Sequence, residues 1–455
     1  MLHHFCSLLC LIVSISMHTL IFFSNYSLIY HLIPTFLMLF SQSFPSPSET
    51  YLIDFSCLRP AKHLRVPVPS LLEHFNLNKC FNKSSIAFMT KVATSSGIGD
   101  ETYIPPPLRL IPISPTHKDA IQESHMLFFP TLNELFAKTK VLPQEIDLLV
   151  VNCSGFCPSP SLSSILVNRY NMRSDVKSYN ISGMGCGAGV IGVDIAKRFL
   201  ENRRAKLFAL VISTEIVSTG WYPGNDQRKL VLNCLFRMGC AAALVTNQAK
   251  ADQIQPKYCL RHLLRTQHTY DDNAYHVASM KEDDEGITGF SIERHVENAV
   301  SALLWSHLRY LGPIILPWQE KIRYVMYRIG SNDMEYVPDF KKAFNHLCFP
   351  SSGMQLIKRI GKGLGFGEEG LEAVLATFHR YGNQSSASIW YQMAYLEAKR
   401  KIKKGDRVLQ LGIGSGLKCN SLVLECVRDF ESDLKANPWG DCLHHYPACM
   451  HAIMT

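Results

Sequence analysis

The first 48 residues carry no Asp, Glu, Lys or Arg, and within them Cys6 to Phe23 is an almost unbroken apolar run. As a helix, that run is long enough to cross most of the hydrocarbon of a bilayer. A second run, Ile29 to Phe40, is shorter and carries Pro34, which suits a hairpin or a re-entrant segment. A cleaved signal peptide is the rival reading, but the n-region lacks a basic residue and no clear small-residue cleavage site follows. The expectation is a retained membrane anchor over residues 1–50. The first basic residues, Arg59, Lys62 and Arg65, come after the apolar runs, which predicts a body on the cytosolic side.

Past the anchor the pattern changes. Residues 51–117 are rich in Pro and Ser and close on IPPPLRLIPISP, which reads as an extended arm. From Ala120 to Lys138 apolar residues recur at helical spacing, among them Met126, Leu127, Leu132, Leu135 and Phe136. IDLLVVNCS then reads as a buried strand, LSSILVNRYNM as a helix, and VKSYNIS as a strand. GAGVIGVDIAKRFLEN is a helix, and AKLFALVISTE is a strand with apolar residues on both faces. Residues 255–345 are less regular. Beyond them GLEAVLATFHRYG, SASIWYQMAYLEAKRKIKKGD, RVLQLGIGSG and LKCNSLVLECV resume the alternation of helix and strand. Such alternation predicts a layered α/β fold around a well-buried sheet. The expected division is 1–50 anchor, 51–117 arm, 118–303 first half and 304–455 second half.

Composition narrows the partners. The chain has 455 residues, 47% hydrophobic and only 18% charged, with a net charge of +8. That sign suits a membrane surface or a phosphate-bearing ligand. No Lys/Arg run or basic-aromatic patch supports nucleic-acid binding. The 15 cysteines show no framework spacing. Cys153 and Cys157 lack a second pair, and Cys442 with His444 and His445 supplies too few ligands, so no metal site is expected.

Three segments hold candidate chemistry. In SGMGCGAGVIGVDIAK a strand runs through a Gly-rich elbow into a helix, with Cys186 at the junction. A thiol at a helix N-terminus is drawn toward the thiolate, which is what a covalent acyl carrier needs. A buried structural cysteine in a tight turn is the plainer reading. In TFHRYGNQSSASIWY, Asn383 follows Gly382 in a loop, where its amide is placed to donate to an oxyanion or to cap the next helix. In LGIGSGLKCN, Gly412, Gly414 and Gly416 follow a strand. They lack the βαβ unit and acidic partner of a dinucleotide site. Close approach of the backbone to a substrate channel or a neighbouring strand is expected of them instead.

Read in order, YLIDFSC, SGIGDETYIPP, VVNCSGFCPSPSLSSILVNRY, YNISGMGCGAG, LFRMGCAAAL, VPDFKKAFNHLC, FHRYGNQSSASIWY and GDRVLQLGIGSGLKCNS resemble the successive signatures of plant 3-ketoacyl-CoA synthases. The resemblance runs from Tyr51 to Pro447. The segment before it is short beside the family's pattern. The resemblance implies a thiolase-like fold, with two similar α/β halves, each holding a five-stranded sheet, stacked in layers of helix and sheet. It also implies an N-terminal anchor in the endoplasmic reticulum membrane, a homodimer, and association with other elongase subunits. The activity implied is decarboxylative condensation of malonyl-CoA with a long-chain acyl-CoA, without a further cofactor. Cys186 would carry the acyl chain, and Asn383, with a histidine, would bind the malonyl thioester oxygen. His379 matches another family histidine, four residues before Asn383.

The catalytic histidine is the departure. The family segment H-F-C-I-H-A-G-G appears here as His346, Leu347, Cys348, Phe349, Pro350, Ser351, Ser352 and Gly353. Pro350 takes the histidine's place and has neither a side-chain donor nor a titratable proton. In a strand, His346 would lie about 13 Å from that position. Two functions therefore compete: a slow condensing enzyme, and a weakly catalytic paralogue that binds and regulates active synthases. A polyketide-forming relative would share the fold but not the anchor or these motifs.

Overall fold

A computed structural model describes residues 49–201, 203–249, 255–330 and 338–447. The expected anchor lies outside them, except Glu49 and Thr50, which belong to the body. Among the described residues no helix is long and apolar enough to cross a membrane. Residues 49–455 cluster as one compact unit.

Its spine is a mixed sheet of nine strands: β1 (Thr50–Cys57), β2 (Ile146–Asn152), β3 (Lys177–Ile181), β4 (Phe208–Thr214), β5 (Cys240–Thr246), β6 (Tyr258–Gln267), β7 (His346–Cys348), β8 (Arg407–Gly414) and β9 (Lys418–Cys426). The spatial order is β7-β8-β9-β6-β1-β5-β4-β2-β3. Five strands on one side and four on the other meet where β1 pairs with β6 over Thr50–Leu52 and Tyr258–Leu260. Instead of two separate five-stranded sheets, the two halves thus share one continuous sheet. Every residue of β4 and β5 is buried. Strands covered on both faces need apolar residues at successive positions, which is why FALVIST and CAAALVT carry no in–out alternation.

The 51–117 segment is not an extended arm. Its first residues form β1, paired with β5 on one side and β6 on the other. Helices α1 (Val68–Leu77) and α2 (Lys83–Ser95) follow. Leu52, Phe55, Leu71, Phe75 and Met89 are buried, so the segment adds to the core. The prolines start elements here. Pro67 caps α1, with Pro69 in its first turn, where a missing N–H costs nothing. The boundary expected after residue 303 falls inside a helix, Val296–Ile315.

Helices cover both faces. The expected 120–138 helix is α3 (His117–Thr139), started by a capping box between Thr116 and Asp119. Among the others are α4 (Ala188–Leu200), α5 (Val296–Ile315), α6 (Trp318–Gly330), α7 (Met354–Gly363), α8 (Glu368–Tyr381) and α9 (Ser388–Ala398). α4 lays Val190, Val193, Ala196 and Leu200 against the sheet. α9 is buried along almost its whole length.

Candidate active site

Beyond β3 the chain turns through Ser182–Met184 into a tight 3-10 turn, Gly185–Gly187, and then into α4. Cys186 stands in that turn, half-buried. The turn is pressed against β8. A Cβ on Gly412 would lie 3.1 Å from Gly187 Cα and 3.3 Å from the Cys186 carbonyl oxygen. One on Gly414 would lie 2.9 Å from Gly187 N. Gly414 admits no side chain, because its Cβ would clash with the Met184 carbonyl oxygen, and Gly412 admits one only if the elbow yields, because two backbones meet there. Gly416 differs: its φ of +59° turns the hairpin between β8 and β9. Asn420 of β9 completes the brace, donating from Nδ2 to the Gly187 carbonyl at 3.3 Å.

Asn383 is held equally firmly. α8 ends at Tyr381, and Gly382 reverses the chain at φ +68°. A side chain there would also meet the Leu235 carbonyl. Asn383 N donates to Leu235 O at 2.9 Å, and its carbonyl accepts from Arg237 N at 2.9 Å. Oδ1 accepts from Ser385 N at 2.8 Å. This is an Asx turn within the loop, and α9 begins later, after Ala387, without a side-chain cap. Because a backbone N–H fixes Oδ1, Nδ2 is the free end of the amide, and among the described residues it has no hydrogen-bond partner. The residue thus does local structural work with its oxygen and keeps a donor available.

Two further residues join the group. Glu215 stands half-buried just beyond β4. Oε1 accepts from Gly155 N at 2.7 Å and from the Cys153 thiol at 3.4 Å. Oε2 accepts from Ser154 N at 3.3 Å and from the Ser385 hydroxyl at 3.2 Å. Burial pushes its pKa up, against the pull of these donors. Burial likewise pushes the Cys186 thiol up to about 11; interaction with the Ser385 hydroxyl pulls it down and the nearby Glu215 charge pushes it up. The expected helix-end preference for thiolate is therefore opposed by desolvation. The sequence reading missed both Glu215 and Ser385. The available signal was an acid closing an otherwise apolar strand, VISTE, and a serine two residues beyond Asn383.

Pro350 stands just beyond the short strand β7. β7 runs parallel to β8, with His346 opposite Val408 and Cys348 opposite Gln410. The pairing ends at Cys348, and Pro350 follows two residues on. The bend is fastened by Gln392, which accepts from Phe349 N at 2.8 Å and donates to Phe349 O at 2.6 Å and Ser351 Oγ at 3.2 Å. The remaining candidate histidines bond elsewhere. His346 Nε2 pairs with Asp406 at 3.1 Å, at the far end of β7, and burial lowers its pKa. His379 Nδ1 meets Tyr446 Oη at 2.8 Å, and its ring packs on Gly99. Neither ring bonds to Cys186, Ser385, Glu215 or Asn383.

A small apolar hollow, lined by Leu71, Leu108, Val217, Trp221, Leu232 and Phe236 among others, has room for little more than a water molecule. Phe236 pairs with Asn383 in a single β-bridge. Among the described residues no cluster of His, Cys, Asp or Glu is arranged to hold a metal.

Residues 43–332 match the family model described as FAE1/type III polyketide synthase-like protein. Residues 341–426 match the C-terminal part of 3-oxoacyl-[acyl-carrier-protein] synthase III. The chain is 38% identical to 3-ketoacyl-CoA synthase 5 of Arabidopsis thaliana over 438 residues, covering 94% of this chain and 88% of that one. It is 41% identical to 3-ketoacyl-CoA synthase 9 of the same plant over 406 residues, covering 88% and 79%. Among solved structures, PKS-I from the brown alga Ectocarpus siliculosus superposes with a TM-score of 0.66 at 15% identity, covering 85% of this chain and all of that one. 1,3,6,8-Tetrahydroxynaphthalene synthase from Streptomyces coelicolor gives 0.65 at 16%, covering 84% and all.

Proposed function

Since this chain belongs to the 3-ketoacyl-CoA synthases of the FAE1/type III polyketide synthase-like family, we propose that it condenses malonyl-CoA with a long-chain acyl-CoA through Cys186 and Asn383, releasing a 3-ketoacyl-CoA two carbons longer. The observation that carries this reading is the braced Cys186 elbow in one polar group with Ser385, Glu215 and Asn383, whose amide keeps a free donor.

The thiol sulfur attacks the acyl-CoA carbonyl, a thioester forms, and CoA leaves as the thiolate. Malonyl-CoA then loses carbon dioxide, and the enolate oxygen receives a hydrogen bond from Asn383 Nδ2. The enolate carbon attacks the acyl thioester, and Cys186 departs. With proline at 350 the thiol needs another proton acceptor. Ser385 and Glu215 supply one: the Cys186 proton passes to Ser385 Oγ as the Ser385 proton moves to Glu215. The pair shares one negative charge throughout, so no second buried charge is created. Transfer during attack also avoids forming the costly free thiolate beforehand. Two CoA thioesters suffice as substrates, with no further cofactor. Transfer of a labelled acyl group to wild type but not to Cys186→Ser is the test.

Residues 1–48 anchor the chain in the endoplasmic reticulum membrane with the body facing the cytosol. A homodimer is supported by β3, an edge strand with Lys177–Asn180 exposed, because an unpaired edge invites a second copy. Other elongase subunits are the further partners. Pro350 favours a second reading, in which a weakly condensing paralogue binds and regulates active synthases. The absence of acyl transfer to Cys186 would favour that reading.

A further inference from the structure

The backbone of Ser385 has a φ of +54°. A residue bearing a Cβ avoids this left-handed region by about tenfold. In this conformation its N–H donates to Asn383 Oδ1 at 2.8 Å and its hydroxyl to Glu215 Oε2 at 3.2 Å, close enough to the Cys186 thiol to lower its pKa. A strained backbone persists only where its surroundings hold it in place. Asn383 does so on the N-terminal side, and Ser388 clasps Gln384 within the loop.

On the C-terminal side the hold comes from the sheet. The Ser386 hydroxyl donates to Asn152 Oδ1 at 2.6 Å. Asn152 is the last residue of β2 and is wholly buried. Its Nδ2 donates to Ile212 O at 2.8 Å and Ser213 Oγ at 3.0 Å, both on β4. A main-chain carbonyl thus fixes Nδ2, and Oδ1 is the end that faces Ser386. Leu148, Leu149, Val150 and Val151 before it are apolar, and a buried amide is costly unless every polar atom is paired. What the asparagine adds to β2 is the bond to Ser386, 234 residues away in sequence. The first turn of α4 packs on the same polar group: a Cβ on Gly189 would lie 3.0 Å from Ser386 O and 3.2 Å from Ser213 Oγ.

We propose that Asn152 is a positioning residue for the condensation, holding Ser386 so that Ser385 stays in the left-handed conformation that sets its hydroxyl against Glu215 and Cys186. This rests on the proposed relay through Ser385 and Glu215.

The test is stopped-flow acylation of the full chain in detergent by a long-chain acyl-CoA, between pH 7 and 10. The variants are Ser386→Ala, Asn152→Ala, Ser385→Ala, and Ser385→Ala combined with Ser386→Ala. Ser386→Ala leaves the bonds from Asn152 to β4 in place, so it decides the matter if Asn152→Ala does not fold. In both single variants the released turn leaves the left-handed region. Acylation at pH 7 should fall by about tenfold, and the gap should narrow toward pH 10 as the thiol ionises unaided. A general loss of packing or of substrate binding would lower the rate equally at every pH. Because the effect passes through Ser385, Ser386→Ala should cost nothing further in the Ser385→Ala background. A Ser386→Ala profile parallel to wild type while that of Ser385→Ala steepens, or full additivity of the two substitutions, would overturn the positioning role and leave the relay standing. A Ser385→Ala profile parallel to wild type would overturn the relay and the positioning role with it. Wild type that takes no acyl group at any pH would overturn the proposed function as well.

Discussion

The Ser385 hydroxyl donates to Glu215 Oε2 at 3.2 Å and lies close enough to the Cys186 thiol to lower its pKa, so one side chain stands between the thiol and a half-buried carboxylate. Its backbone N–H meanwhile fixes the Asn383 amide. In the proposed reaction, acyl transfer and enolate stabilisation thus meet at Ser385.

Removing that link should change the pH dependence of acylation. With Ser385→Ala the thiol must ionise unaided, and it loses the Ser385 interaction that lowers its pKa, already pushed up to about 11 by burial in wild type. Below that value the thiolate fraction rises about tenfold per pH unit, so acylation should climb steeply from pH 7 to 10. Wild type should be faster at pH 7 and climb less, because in the proposed relay Ser385 and Glu215 take the thiol proton during attack. Stopped-flow acylation across that range is the check. Parallel profiles would remove Glu215 from the proton path.

Restoring the histidine should make the relay dispensable. Pro350→His adds a donor toward the malonyl oxyanion, and one such donor commonly changes the rate by about 10²–10³. The stricter variant also changes Ser351 and Ser352 to Ala and Gly. Condensation should rise in either variant, and Glu215→Gln should cost less there than in wild type. Equal losses from Glu215→Gln in the two backgrounds would show that histidine and glutamate do not share a role.

Gly412→Ala tests the brace. The added methyl would sit 3.1 Å from Gly187 Cα and 3.3 Å from the Cys186 carbonyl, both backbone atoms. The elbow must shift by a few tenths of an ångström or more. A 1 Å displacement of a reacting group costs about 10²-fold, so acyl transfer should fall by about tenfold with the fold retained. Acylation unchanged from wild type would mean that β8 does not position the thiol.

Glu123 ties α3 to the loop that follows Glu215. It accepts from Val217 N at 2.7 Å and Ser218 N at 3.0 Å. Burial pushes its pKa up to about 7. In the unfolded chain it ionises near 4.5, so as pH rises between these values only the unfolded state releases its proton. Stability is therefore greatest below pH 4.5 for this group and declines toward pH 7, by on the order of 3 kcal/mol. In Glu123→Gln that decline should shrink. Denaturant midpoints at pH 5 and pH 7.5 for both proteins provide the comparison.

Much of the architecture is legible in the sequence because buried strands and elbows leave continuous signals. VVNC, FALVIST and RVLQLGIG read as strands through their unbroken apolar runs, and the glycines around Cys186 mark a turn. What escapes is long-range. Pro and Ser between residues 51 and 117 suggest an arm, yet LIDFSC pairs with partners almost two hundred residues away, a fact no local period carries. Glu215 and Ser385 are 170 apart in sequence, and only the fold joins them. His379 lies near Asn383 in sequence, but Gly382 reverses the chain between them, and its ring turns to Tyr446 instead.

The most direct measurement is elongation in microsomes expressing the full chain, supplied with a long-chain acyl-CoA and labelled malonyl-CoA. The account predicts labelled 3-ketoacyl-CoA two carbons longer than the substrate, above the background of microsomes lacking the protein and abolished by Cys186→Ser. Labelled product equal in wild type, Cys186→Ser and control microsomes would contradict it.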